Sequence, residues 1–314
     1  MRFPRTWVAG SLFLGLIGLS VVASASPEAD RRGAERPKAE RRERERVTRQ
    51  GTGGDPVIAA AGDIAQEGEP SDANEQTADL ILDLDPTAVL TLGDNQYDDG
   101  ELSEFRDSYD LTWSQFKNIT HPAPGNHDYH VEGAQGYFDY FGDAANPPDG
   151  YYSFDLGTWH LISVNSGEGI SDEQLAWIRR DLRSDNHDCE LAYWHHPRWS
   201  SGDTHGSDED MAPLWRLLYR NGVDVVLNGH DHLYERFARL NASGELDRQG
   251  IREIIVGTGG NSLYNFGDRE TGSRVRISEY GVLTMVLHDA SYEWEFLRAE
   301  DGKSLDDGRT ACHR

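Results

Sequence analysis

The sequence predicts an α/β fold in which two mixed β-sheets lie between layers of helix. Two observations carry that prediction. The order of elements runs β-α-β-α, then a hairpin, then α-β-α-β, then a β-rich tail, which is not the pattern of a single doubly wound sheet. In addition, the buried-looking strands stop abruptly at glycine followed by a polar residue, the end at which α/β sheets place their ligands.

The elements follow in chain order. "PVIAAAGD" (56–63) reads as a buried strand ending in Gly-Asp, and "TAVLTLGDNQY" (87–97) repeats the device. Between them, "NEQTADLILDLD" (74–85) places Ala78, Ile81 and Leu82 at helical spacing. "FRDSYDLTWSQFK" (105–117) predicts an aromatic-rich helix, and "HPAPGNHDYH" (121–130) a Pro/Gly turn that opens onto Asn126-His127-Asp128. "YYSFDLGTWHLISVN" (151–165) alternates as a hairpin turning at Leu156-Gly157. "SDEQLAWIRRDLRSD" (171–185) starts with Ser171 as N-cap and Gln174 three residues on, a capping box. "CELAYWHHP" (189–197) is a strand ending in histidines, and "DMAPLWRLLYRNG" (210–222) a helix closed by Gly222. "VDVVLNGHDH" (223–232), "REIIVGTGG" (252–260) and "YGVLTMVLHDASYEWEFL" (280–297) complete the strands, the last as a hairpin.

Composition separates the chain into three parts. Arg2 and Arg5 precede an apolar run from Trp7 to Val22 and the small residues Ala23-Ser24-Ala25, which reads as a secretory signal peptide over residues 1–25. Residues 26–54 are almost all charge with no aromatic side chain, and are expected to form a disordered linker. Residues 55–314 are expected to form the folded domain. The chain has 30 Lys+Arg and 55 Asp+Glu. Residues 1–50 hold 11 and 6 of these, so residues 51–314 carry 19 against 49, a formal net charge of −30. That field repels nucleic acid and anionic membranes. An acidic body that acts on an anionic substrate needs local positive charge, which metal ions supply. Once the signal is removed, no stable membrane insertion is expected; the oligomeric state is open. An exported chain with two cysteines predicts one disulfide, Cys189–Cys312.

Five strand ends or adjoining turns offer a hard oxygen or an imidazole: Gly62-Asp63, Gly93-Asp94-Asn95-Gln96-Tyr97, Gly125-Asn126-His127-Asp128, His195-His196-Pro197 and Gly229-His230-Asp231-His232. His230 and His232 are at i and i+2, so at an extended strand end they face one side. This set resembles the calcineurin-like metallophosphoesterase superfamily, and in detail the purple acid phosphatase branch. Many members of the superfamily carry Asp-x-His at the first motif; here it is Asp63-Ile64-Ala65, and Tyr97, three residues after Asp94, stands where that branch supplies a tyrosine. The resemblance implies a four-layer αββα sandwich with two metals. Asp63, Tyr97 and His232 would hold the first, Asn126, His195 and His230 the second, and Asp94 would bridge them. Phenolate and carboxylate oxygens suit Fe(3+), while imidazoles and an amide oxygen suit divalent Zn, Mn or Fe. Two ions about 3.5–4 Å apart clamp the attacking and leaving oxygens of an in-line displacement, with a metal-bound hydroxide as nucleophile.

His127 matches the non-ligand histidine of the Gly-Asn-His motif. It is assigned to a phosphate oxygen or to protonation of the leaving group, with Asp128 orienting it. His205 matches a downstream histidine that contacts substrate, His196 lies behind the ligands, and Trp199 is placed at the substrate mouth. The expected activity is that of a secreted acid phosphatase acting on small phosphomonoesters. A phosphodiesterase on the same scaffold and a non-catalytic phosphate- or metal-binding surface protein are the alternatives.

Overall fold

A computed structural model describes residues 54–66 and 72–313. The expected signal peptide (1–25) and all of the linker (26–54) except Gly54 lie outside them. Among the described residues no helix is long and apolar enough to cross a membrane.

The first half of the chain builds the parallel part of one sheet. β1 (Val57–Ala61) and β3 (Ala88–Leu92) pair in parallel, joined through α1 (Ala73–Leu84). β3 pairs in parallel with β5 (Thr120–Ala123). Two short strands, β2 (Ala65–Gln66) and β4 (Gln96–Tyr97), pair beside them. β5 takes up Thr120 to Ala123, where the sequence predicted only a turn. It is the outermost strand of its sheet, and an edge tolerates Pro122, which has no N–H to donate. The predicted aromatic helix is also irregular: residues 102–119 pass from α through a π-helical stretch, Phe105–Tyr109, to a 3₁₀ stretch, Trp113–Ile119. Phe105, Tyr109, Trp113 and Phe116 are all buried along it.

After α2 (Gln135–Phe141), the hairpin β6 (Tyr152–Leu156) and β7 (Trp159–Ser163) opens the second sheet. α3 (Asp172–Ser184) leads to β8 (Cys189–Tyr193), and α4 (Ala212–Asn221) to β9 (Val225–Asn228). Ser171 caps α3 by accepting from the Gln174 N–H at 3.1 Å. The predicted box is only half made, because the Gln174 side chain instead bonds both backbone groups of Asn165, at 2.8 Å each. Gly222 ends α4 at φ 87°, a left-handed residue that closes onto Leu218 and Tyr219. β10 (Tyr234–Leu240), β11 (Ile251–Val256) and β12 (Ser273–Ile277) complete this sheet, in the order β12-β10-β11-β9-β8-β7-β6. β13 (Gly281–His288), β14 (Ser291–Arg298) and β15 (Ser304–Ala311) return to the first sheet, in the order β15-β14-β13-β1-β3-β5.

Alternation along the second sheet separates two cores. Leu161, Leu191, Val225 and Ile254 join the core shared with the first sheet. Their neighbours Ile162, Ala192, Val226 and Ile255 pack with Ile178 and Leu182 of α3 and Leu214, Trp215 and Leu218 of α4. A strand can feed two cores in this way because successive side chains face opposite sides. The layers are therefore helix, sheet, sheet, helix, as the sequence predicts.

Cys189, at the start of β8, is bonded to Cys312, just after β15, tying the second sheet to the edge of the first across 123 residues. In the chain-entropy picture a loop of that length stabilises the fold by roughly 3–5 kcal/mol. Reduction is therefore expected to lower the urea midpoint and to steepen the slope, because the unfolded chain loses a long-loop constraint and exposes more surface. An unchanged midpoint would show that the bond contributes nothing.

Candidate metal centre

Five parallel strands from the two sheets, β1, β3, β5, β8 and β9, deliver their carboxyl ends to one place. At three of them the first polar residue past the glycine has a left-handed backbone: Asp63 at φ 59°, Asp94 at φ 47° and His230 at φ 70°. Each such residue costs on the order of 1–3 kcal/mol and persists where the surroundings fix it. Here the Asp63 N–H donates to Gly93 O at 3.1 Å, and the His230 N–H to Asp63 Oδ2 at 2.9 Å. Gly125 is required by contact, since a Cβ there would lie 2.1 Å from Asp94 Oδ1.

The side chains converge on a shared set of lone pairs. Tyr97 Oη lies 2.8 Å from Asp63 Oδ1, 2.9 Å from Asp94 Oδ2 and 3.1 Å from His232 Nε2. Asp94 Oδ2 is 3.1 Å from His195 Nε2, which is 3.2 Å from His230 Nδ1. The far side of two rings is fixed by backbone: His195 Nδ1–H donates to Leu92 O at 2.9 Å, and His232 Nδ1–H to Ser262 O at 2.7 Å. This leaves Nε2 of each ring aimed inward, the arrangement that carbonyl partners impose on metal-binding histidines. Among the described residues, Asn126 Oδ1 is buried with no hydrogen-bond partner, an expensive state for an amide oxygen unless a cation takes up its lone pair.

Charge points the same way. Burial, then the carboxylates of Asp63 and Asp94, push the Tyr97 phenol well above its ordinary range. Burial would hold His195 neutral, but Asp94 outweighs it and lifts the imidazole to about 9, so that a proton takes the place of a cation. Burial, followed by the charges of His195, His196 and His205, pushes His230 well down. Buried oxygens and nitrogens that need positive charge between them are the donor set of hard and borderline metal ions, and the residues present fit such a group.

The rim holds the other candidates. His127 Nδ1–H donates to Asp98 O at 2.6 Å, and its ring lies 4.3 Å from that of Tyr97. Asp128, expected to orient this ring, does not touch it. The buried carboxylate accepts instead from Gly125 N at 2.8 Å, from Asn95 N at 3.2 Å and from Asn95 Nδ2 at 3.0 Å. A carboxylate this well supplied with backbone donors positions the turn that carries Asn126 and His127. Burial and the nearby Asp94 still push its acid form up to about 7.

His205 is exposed, with its ring stacked on His230 at 4.0 Å. His196 stands beside the centre: its Nδ1 pairs with Ser166 Oγ at 2.9 Å, its ring is 4.4 Å from that of His230, and one of its ring nitrogens lies within 4.8 Å of ligand atoms of His195 and His230. The Trp199 ring meets Trp215, Gly244 and the Arg198 guanidinium. Two further residues, to which the motifs alone assign no role, also shape the rim. Asp231 points away from its histidine neighbours and accepts from Ser200 Oγ, His205 N at 3.3 Å and Gly206 N at 3.1 Å, so it holds the loop that presents His205. Tyr264 lies flat on His232 at 3.9 Å. Asp231 could have been suspected from its place between two histidines, whereas Tyr264 stands in a segment without a motif.

With this geometry in hand, comparison with known proteins is specific. The family model for Calcineurin-like phosphoesterase matches residues 56–234. Purple acid phosphatase 15 of Arabidopsis thaliana is 27% identical over 243 residues, which is 65% of this chain and 45% of that protein. Purple acid phosphatase 21 of the same plant is 30% identical over 297 residues, 82% of this chain and 64% of that protein. This chain therefore spans between about half and two thirds of the length of these two relatives. Among solved structures, purple acid phosphatase PPD1 from yellow lupin (Lupinus luteus) seeds superposes with a TM-score of 0.67 at 21% identity, over 83% of this chain and 54% of that one. That likeness shows a shared metallophosphatase fold. The matched span covers more than half of the chain and contains the strand ends described above, and the chain belongs to the calcineurin-like phosphoesterase family.

Proposed function

We propose that the protein is an exported, metal-dependent acid phosphatase that hydrolyses small phosphomonoesters at a two-metal centre. The observation that carries this reading is the meeting of six donors, Asp63, Asp94, Tyr97, His195, His230 and His232, at strand ends from both sheets, beside a turn, tied to Asp94, whose Asn126 Oδ1 is buried without a partner. Asp63, Tyr97 and His232 would hold one ion, Fe(3+); Asn126, His195 and His230 would hold a divalent ion, Zn, Mn or Fe; and Asp94 would serve both. When bound, the pair supplies the positive charge that the acidic body lacks and the activated nucleophile of the reaction.

The chain's own groups supply the rest. His127, fixed through Nδ1 to Asp98, keeps Nε2 as the ring atom that gives a proton to the leaving oxygen. His205, exposed at the mouth, meets the phosphoryl oxygens of an entering substrate. Asp128 and Asp231 act through the loops they hold. Purified protein assayed with p-nitrophenyl phosphate and bis(p-nitrophenyl) phosphate tests the substrate class. A clear preference for the monoester below neutral pH is expected. Preference for the diester would replace this reading with a phosphodiesterase, and no turnover of either by metal-loaded protein would point to a binding protein.

The iron assignment has its own consequence. Iron bound to the Tyr97 phenolate gives a visible charge-transfer band, which a filled-shell zinc ion cannot. Tyr97→Phe is expected to abolish that band in iron-loaded protein, and a band that survives would remove Tyr97 from the iron.

A further inference from the structure

A second group of imidazoles and carboxylates stands at the opposite end of the second sheet. Asp155 on β6 and His160 on β7 are direct cross-strand partners. Asp181 lies in the last turns of α3, Asp185 is the residue that ends that helix, and His187 follows in the loop to β8. On the β8 strand this cluster is level with Glu190, so five residues, or about 16 Å, separate it from His195. None of its residues touches the centre described above.

Four ligand-type atoms converge there. His160 Nδ1 is 2.8 Å from Asp155 Oδ1 and 3.9 Å from Asp185 Oδ1. His187 Nδ1 is 2.6 Å from Asp185 Oδ1 and 3.9 Å from Asp155 Oδ1. All four lie within 4.8 Å of one another. Ligands 2.0–2.1 Å from a tetrahedral zinc ion are about 3.3 Å apart, and the separations observed here straddle that value. The outer contacts are of the kind that prepare a ligand. His160 Nε2–H donates to Asp181 Oδ2 at 2.8 Å, and Ser153 Oγ–H donates to Asp181 Oδ1 at 2.9 Å. This carboxylate–histidine pair turns Nδ1 toward the other three donors. The His187 N–H donates to Asp185 Oδ2 at 3.1 Å, which turns Oδ1 inward.

We propose that Asp155, His160, Asp185 and His187 form a structural site for a divalent ion of the zinc class, separate from the catalytic pair, that fastens the β6–β7 hairpin to the end of α3. Two imidazoles and two carboxylates make a closed tetrahedral set with no open position for substrate, so the ion supports the fold and not the reaction.

The test uses the full chain and zinc alone. Wild type, His187→Ala and Asp155→Ala are equilibrated with zinc chloride and desalted, and zinc per chain and the unfolding temperature are measured. Asp155 has a largely exposed side chain, so its removal leaves the fold intact even if His187→Ala disturbs it. Wild type is expected to hold about one zinc more than either variant and to lose unfolding temperature when that zinc is stripped, with kcat and KM on p-nitrophenyl phosphate equal in all three. Because the reading rests on a difference between proteins, it stands or falls independently of how many ions the catalytic centre takes. Equal zinc contents in wild type and Asp155→Ala would overturn it.

Discussion

Asp94→Ala is expected to lose both ions of the catalytic centre and to bring phosphoester hydrolysis down to background. The carboxylate is almost fully buried, and both of its oxygens are committed. Oδ1 accepts from the His127 N–H at 2.8 Å; Oδ2 accepts from Tyr97 Oη–H and faces His195 Nε2. Under the proposed assignment its removal would deprive the two ions of their shared ligand, and it also frees the turn that carries Asn126 and His127. The measurements are metal per chain and kcat/KM, with Asp94→Asn as the variant that keeps the shape but not the charge. Near-wild-type turnover with two metals bound in Asp94→Ala would show that the carboxylate is not shared.

His127→Ala is expected to keep both ions and to slow turnover by roughly 10²–10⁴, the range for losing a general acid or base. The separation of metal content from rate follows from geometry. Nδ1 of His127 is spent on Asp98 O, and the ring packs beside Tyr97 without facing the carboxylates as His195 and His232 do. The loss should be smaller with substrates whose leaving group needs no proton, such as p-nitrophenyl phosphate, than with alkyl phosphates. Loss of metal from this variant would make His127 a ligand instead.

The turns that bring these strand ends together are legible in the sequence because sharp turns after strands carry a compact local signature. Gly62-Asp63, Gly93-Asp94 and Gly229-His230 each announce a sharp turn, and all three prove to be left-handed at the second residue. The four-layer order was visible for the same reason: periodicity and caps are local. What was hidden is long-range. The partner of His127 is a main-chain oxygen 29 residues away, which no side-chain pattern reports. Asp128 is adjacent to His127, and adjacency suggested contact, yet its carboxylate is drawn to Asn95 and Gly125. β5 was concealed by its proline, which only an edge position accommodates. Asp155, His160, Asp185 and His187 each look ordinary in sequence, and only the hairpin and the end of α3 bring them together.

Diffraction from crystals of metal-loaded protein, recorded on both sides of the iron and zinc absorption edges, tests the central claim most directly. Two anomalous peaks are predicted at the catalytic centre, an iron peak against Tyr97, Asp63 and His232 and a divalent-ion peak against Asn126, His195 and His230, with Asp94 touching both. A single peak there, or a pair in which Asp94 contacts only one ion, would contradict the account.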